Sequence, residues 1–261
     1  MLNFIRKTKI KGFTLAEVLI TLGILGIVAE MTLPSLINNT NKSQYTSALL
    51  KTYSVLGQTQ QQIEADNGEF ESAIGSVSDS EGLANLFIQK MKVAKNCGVS
   101  KGNSDCFSKV LGFLNGAAEG TDGDGNSYHM AGWTVQQMLD GSPDVASIRG
   151  EDVEFITADG IAYSISLADK NIVAGACTSD NPVCGLIVVD VNGPKKGPSM
   201  MGRDLYLFWI ATLGVVPGGA YESQEDIDAA CSPNTPTGSD PQNGNGFTCA
   251  EKVISAGAMN Y

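Results

Sequence analysis

The stretch from Phe13 to Pro34, FTLAEVLITLGILGIVAEMTLP, decides the fold: it is apolar apart from Glu17 and Glu30, and a proline ends it. The 21 residues before Pro34 would make a helix roughly 30 Å long at about 1.5 Å per residue, the thickness of a bilayer core. Upstream, residues 1–12 read MLNFIRKTKIKG and carry Arg6, Lys7, Lys9 and Lys11 with no acid. Cations gather on the cytoplasmic side of a span. The asymmetry therefore predicts a single pass through lipid, with the N-terminus in the cytoplasm and the rest of the chain outside.

Glu17 is the residue such a helix should exclude, because a carboxylate in hydrocarbon is costly unless it is paired or reaches the interface. Neither a secretory signal nor an ordinary anchor accounts for it. The apolar run is long for a signal, and the residues after Ile27 offer no small-x-small cleavage site. A cut between Gly12 and Phe13 does account for Glu17. It creates an amine on Phe13, four residues earlier on the same helix face, and leaves the carboxylate in the first turn, where the macrodipole favours it. Paired within one chain, the two charges partly neutralise each other; paired with a neighbour's amine, Glu17 becomes a register mark for assembly.

The basic leader followed by Gly12, Phe13, Thr14, Leu15, Glu17 and an apolar helix resembles the N-terminal cleavage and methylation motif of type IV pilins and type II secretion pseudopilins. Pro34 resembles the proline at which such subunits kink their helix, and Gly23 and Gly26 match the glycine-bearing portion before it. The resemblance implies removal of residues 1–12 by a prepilin peptidase, N-methylation of Phe13, and assembly with other pilin or pseudopilin subunits through Glu17. It also implies an inner-membrane assembly platform and a head displayed in the periplasm or outside the cell. Apart from the resemblance, Pro34 lacks the N–H that would bond the Glu30 carbonyl, so a kink or local melting is expected there. Glu30 itself is expected to snorkel to the outer headgroups.

The helix is predicted to continue past the membrane. Tyr45, Leu49, Tyr53 or Leu56, and Ile63 recur at spacings of three and four, and Asp66-Asn67-Gly68 is a left-handed stop. The organisation is thus leader 1–12, membrane and assembly helix 13–34, outer helix 35–67, and a head over 68–261. Residues 69–82 read as a loop, and Leu83, Leu86, Phe87, Met91 and Ala94 as a second helix leading into Cys97. Strands are expected over Val153–Thr157 and Ile161–Leu167, joined by the Ala158-Asp159-Gly160 turn, and over Leu186–Val191 and Leu205–Ile210. The outer helix would cover this antiparallel sheet, which makes the fold class α+β.

Without the leader the chain has 13 basic residues against 28 acidic ones, a net charge of −15. Such a surface repels phosphate backbones, so no nucleic-acid partner is expected. Six cysteines, Cys97, Cys106, Cys177, Cys184, Cys231 and Cys249, follow the anchor without a C-x-x-C. Among the fifteen pairings open to six cysteines, neighbour pairing closes the shortest loops and suits an oxidising compartment. Each such bridge stabilises by about 2–4 kcal/mol. The Pro, Gly, Asn and Ser of Ser232 to Thr248 read as a loop that a Cys231–Cys249 bridge would tie down.

Two loops invite a calcium reading. Gly120 to Asn126 opens like a calcium loop, but Ser127 stands where the glycine should be and Trp133 where the closing Glu should be, so a turn is expected. Asp190, Asn192 and Asp204 bracket a second loop, a candidate calcium site that loosely resembles one in some pseudopilins; the alternative is that Asp190 and Asn192 cap a tight turn while Asp204 pairs with Arg203 or a surface cation. His129 is the only histidine, and no P-loop or G-x-S-x-G is present, so no enzyme is expected. The expected function is a structural subunit of a type IV pilus-like or secretion pseudopilus filament. The alternatives are a priming or tip subunit, an adhesin-like binding module on the same anchor, and an ordinary bitopic membrane protein.

Overall fold

The computed structural model describes residues 13–99, 106–107, 111–114, 119–121, 127–129, 152–167, 183–196, 199–233 and 244–261. The chain divides into two compact units, Met1–Asn41 and Lys42–Tyr261. One helix, α1, Leu15–Asn67, runs unbroken through Pro34. It ends where Gly68, at φ 86°, donates its N–H to the Glu64 carbonyl at 2.9 Å. No local melting occurs at the proline: the helix is held through it by its neighbouring turns.

In the second unit α1 turns a narrow face inward. Thr46, Leu49, Thr52, Leu56, Thr59 and Ile63 are buried, at helical spacings of three and four, while Tyr53 lies at the margin and stacks on Phe208 at 6.2 Å. Leu56, not Tyr53, therefore continues the stripe. The threonines between the aliphatic residues share the buried face, a position that a reading by hydrophobicity passes over.

Residues 69–82 are not one loop. They hold α2, Phe70–Gly75, and the start of α3, Ser80–Ile88. Phe70, Ala73 and Ile74 are buried, so their short apolar face is enough to fold against the core. Asp79 caps α3 by accepting from the Gly82 N–H at 2.7 Å. The expected second helix is shorter than Leu83 to Ala94: it stops at Ile88, and Val93–Val99 is strand β1.

The strands β5, Val153–Thr157, β6, Ala162–Leu167, β7, Val183–Asp190, β9, Leu205–Ala211, and β10, Gly214–Pro217, join β1 in one six-stranded sheet. Its order is β1-β5-β6-β7-β9-β10, every pair antiparallel. Two short ladders stand apart. β2, Leu111–Gly112, runs parallel to β8, Ser199–Met200, and β3, Glu119–Thr121, pairs with β4, Ser127–His129. Of the turn expected over Gly120 to Asn126, Gly120 and Thr121 belong to β3, while residues 122–126 lie outside the described residues, as does Trp133.

Successive residues of the central strands enter two different cores. Ile187, Val189, Tyr206, Phe208 and Ile210 pack with Leu49, Leu56 and Ile63 of α1 and with Leu83 and Phe87 of α3. The alternate residues Leu186, Val188, Leu205 and Leu207 pack with Phe107, Phe113 and Met201 on the opposite face. Burial on both faces explains why these strands read as unbroken apolar runs. Gln60 fastens the sheet's far edge to α1: its amide oxygen accepts from Val215 N at 3.1 Å and its nitrogen donates to Leu213 O at 3.3 Å.

Helices stand on both sides of the C-terminal loop. Two helices, α4, Gln224–Ala230, and α5, Cys249–Ala256, flank the expected loop, of which residues 234–243 lie outside the described residues. The Gly244 and Gly246 N–H groups bond the carbonyls of Ala229 and Ala230, each at 3.0 Å.

Candidate assembly site

In the first unit every residue from Phe13 through Thr40 is exposed. An apolar surface this long calls for lipid or other chains to cover it. The helix is long and apolar enough to cross a membrane, with a mean hydropathy of 1.9 over its most apolar window.

At its start, Thr14 donates both its backbone N–H and its hydroxyl to Glu17 Oε2, each at 2.8 Å, and its hydroxyl oxygen accepts from Glu17 N at 3.3 Å. This reciprocal pair is a capping box, in which a T-x-x-E spacing satisfies helix N–H groups that have no carbonyl partner. The signal stood in the sequence, yet reading Glu17 as a charge in search of an amine obscured it. Thr14 is thus a positioning residue that the sequence reading missed: it holds the Glu17 carboxylate at the helix start. Phe13 is 87% exposed, so a group at that position is open to approach. Gly12, on the other side of the expected cut, lies outside the described residues. Glu30 and Pro34 are both exposed on the helix.

The second candidate site joins β7 to β9. Asp190 accepts from Asn192 N at 3.0 Å, from Gly193 N at 2.8 Å and from the Ser199 hydroxyl at 3.0 Å. Asp204 accepts from Met200 N at 2.6 Å and from the Arg203 guanidinium at 2.9 Å. Asn192 Nδ2 donates to the Lys196 carbonyl at 3.0 Å. Tyr206 donates to Arg203 O at 2.8 Å, and the Tyr261 hydroxyl to Gly202 O. Gly193 has φ 79°, and a Cβ there would stand 2.6 Å from the Gly160 carbonyl, so the tight return of this loop requires glycine.

Both carboxylates are buried. Burial, reinforced by the neighbouring Asp204 charge, pushes Asp190 up to about 6 against the pull of its Ser199, Asn192 and Gly193 bonds. Burial also raises Asp204, although Arg203 opposes the shift. As folded, these oxygens serve N–H and O–H donors. A cation would have to displace the guanidinium from Asp204 and two backbone N–H groups from Asp190. Among the described residues no group of three or more His, Cys, Asp or Glu could hold a metal ion. Asp190 caps the turn by accepting from backbone N–H groups, and Asp204 pairs with Arg203.

Cys97 is bonded to Cys106 and Cys231 to Cys249, with Cα separations of 6.3 and 5.3 Å. Cys184 is also disulfide-bonded; Cys177 lies outside the described residues. The first bridge pins the edge strand β1, and the second joins α4 to α5.

The prokaryotic N-terminal methylation motif matches residues 7–29. No curated protein and no solved structure matches the chain. With its long N-terminal helix followed by a six-stranded antiparallel sheet, this α+β chain carries the N-terminal methylation motif characteristic of type IV pilins and pseudopilins.

Proposed function

We propose that the protein is a structural, non-enzymatic subunit of a type IV pilus-like or type II secretion pseudopilus filament. A prepilin peptidase removes residues 1–12, Phe13 is N-methylated, and the exposed apolar helix passes from the inner membrane into the filament core, with the head in the periplasm or outside. The match of the methylation motif to residues 7–29, on a helix exposed from Phe13 to Thr40, carries this reading. Glu17 supplies the selectivity. Held by Thr14 in the first turn, its carboxylate stands ready for the Phe13 amine of a neighbouring subunit, a charge pair strengthened by the low dielectric of the packed core. Intact-mass and N-terminal peptide analysis of the membrane-extracted chain tests processing: a chain beginning at N-methylated Phe13 is expected, and one beginning upstream contradicts the proposal.

A priming or tip subunit is the second reading. The head favours it, because the two short ladders beside its main sheet add bulk to close helical packing of many copies.

A further inference from the structure

The filament reading leaves the lateral contacts of the head unassigned, and two features at opposite edges of the six-stranded sheet bear on them. Beside β1 lies a cavity of about 410 Å³, walled by Lys51 and Val55 of α1, Lys90, Met91 and Lys92 before β1, and Asp159 of the β5–β6 turn. Lys51 pairs with Asp159 at 2.6 Å, and Lys90 with Asp66. Lys92 and Lys95, both exposed, meet no carboxylate among the described residues. Lys90, Lys92 and Lys95 fall within six residues that contain no acid, in a chain with only 13 cations after the leader.

At the other edge, beyond β10, the charge is reversed. Tyr221 is 54% exposed, and Glu222 and Glu225 beside it are exposed too. Asp226 is engaged with the Ser223 hydroxyl at 2.6 Å and Asp228 with Lys252 at 2.8 Å. Glu222 and Glu225, like Asp226 with its Ser223 partner, meet no cation among the described residues. The Ser223 cap and the Cys231–Cys249 bridge hold the ridge in place.

Six strands at about 4.8 Å spacing separate the two edges by roughly 24 Å, so one head cannot satisfy both patches itself. Two copies set head to tail can, and a heterologous contact that does not close generates a helical filament. We infer that the ridge of Tyr221, Glu222 and Glu225 on one head docks on the next copy against the groove walled by Lys92, with the exposed Lys95 of β1 outside that groove as a second cation. The tyrosine ring enters the cavity against Val55 and Met91, as an aromatic anchor does at an interface centre. The rim charges fix register and suppress wrong pairings among heads that otherwise repel through their shared acidity.

This contact rests on the filament reading, and a charge swap in the full-length, membrane-expressed chain separates the two. Lys92→Glu with Lys95→Glu, and separately Glu222→Lys with Glu225→Lys, should each lower the sheared-filament yield by about ten-fold or more, since like charges then face each other across the interface. Combining all four should restore the yield to within about three-fold of wild type, because only the combination re-pairs the charges. All of these side chains are exposed, so processing and membrane level serve as the folding control. Unchanged yields in the separate variants, or no recovery in the combination, overturn the contact while leaving the filament reading intact. A wild-type chain that makes no Glu17-dependent filament overturns both.

Discussion

Glu17 looked, as a residue, like an anomaly resolved only by a new amine on Phe13. The capping box with Thr14 shows that it already has a local function before any partner arrives. Intrachain and interchain bonds to one carboxylate are compatible, because each oxygen accepts more than one hydrogen bond. At the other residue-scale site the titration has a defined sign. Asp190 is raised when folded, so the native state binds more protons than the unfolded chain between about pH 4 and 6, and its contribution to stability is lost as pH rises through that window. The effect is on the order of 3 kcal/mol at most. Thermal melts should therefore show the melting temperature rising from pH 7 to pH 5, with a much flatter profile for Asp190→Asn; an equal slope in the variant would contradict this. Calorimetry with calcium should show no heat, and a chelator should not shift the melting temperature. A calcium-dependent rise would mean that the loop opens to a cation after all.

At the scale of elements, much of the fold was legible. The long helix followed from the apolar run and the Asp66-Asn67-Gly68 stop, and four strands followed from their β-branched and aromatic runs. The pattern failed where a short segment carried a weak signal. Val93–Val99 holds few large apolar residues because it is an edge strand, so it read as the tail of a helix. α2 has six residues, too few for a helical period to show. The second core was hidden for another reason: its covering residues, Phe107, Phe113 and Met201, come from irregular segments between the strands. The buried face of α1 yields a test. Leu56 is fully buried among α1, α3 and the sheet. Leu56→Ala should cost about 2–5 kcal/mol in denaturant unfolding of the head, whereas Tyr53→Ala, at the margin, should cost clearly less. Equal losses would mean that the stripe is misplaced.

For the whole molecule, the motif over residues 7–29 points to pilin-type processing, and the head makes up most of the rest of the chain. The division between Asn41 and Lys42 gives each part its own physical task. The first unit exposes an apolar helix that only lipid or neighbouring helices can cover. The second buries its apolar residues in two cores tied by disulfides. On the proposed reading, the decision between membrane and filament falls to Glu17, whose charge is costly in lipid and would be satisfied among assembled helices. The most direct measurement is the fate of Glu17→Val, comparing the sheared filament fraction with the membrane fraction by mass spectrometry. The variant should be inserted in the membrane at wild-type level, yet be absent from filaments that in the wild type contain the chain beginning at N-methylated Phe13. Undiminished incorporation of the variant would contradict the account.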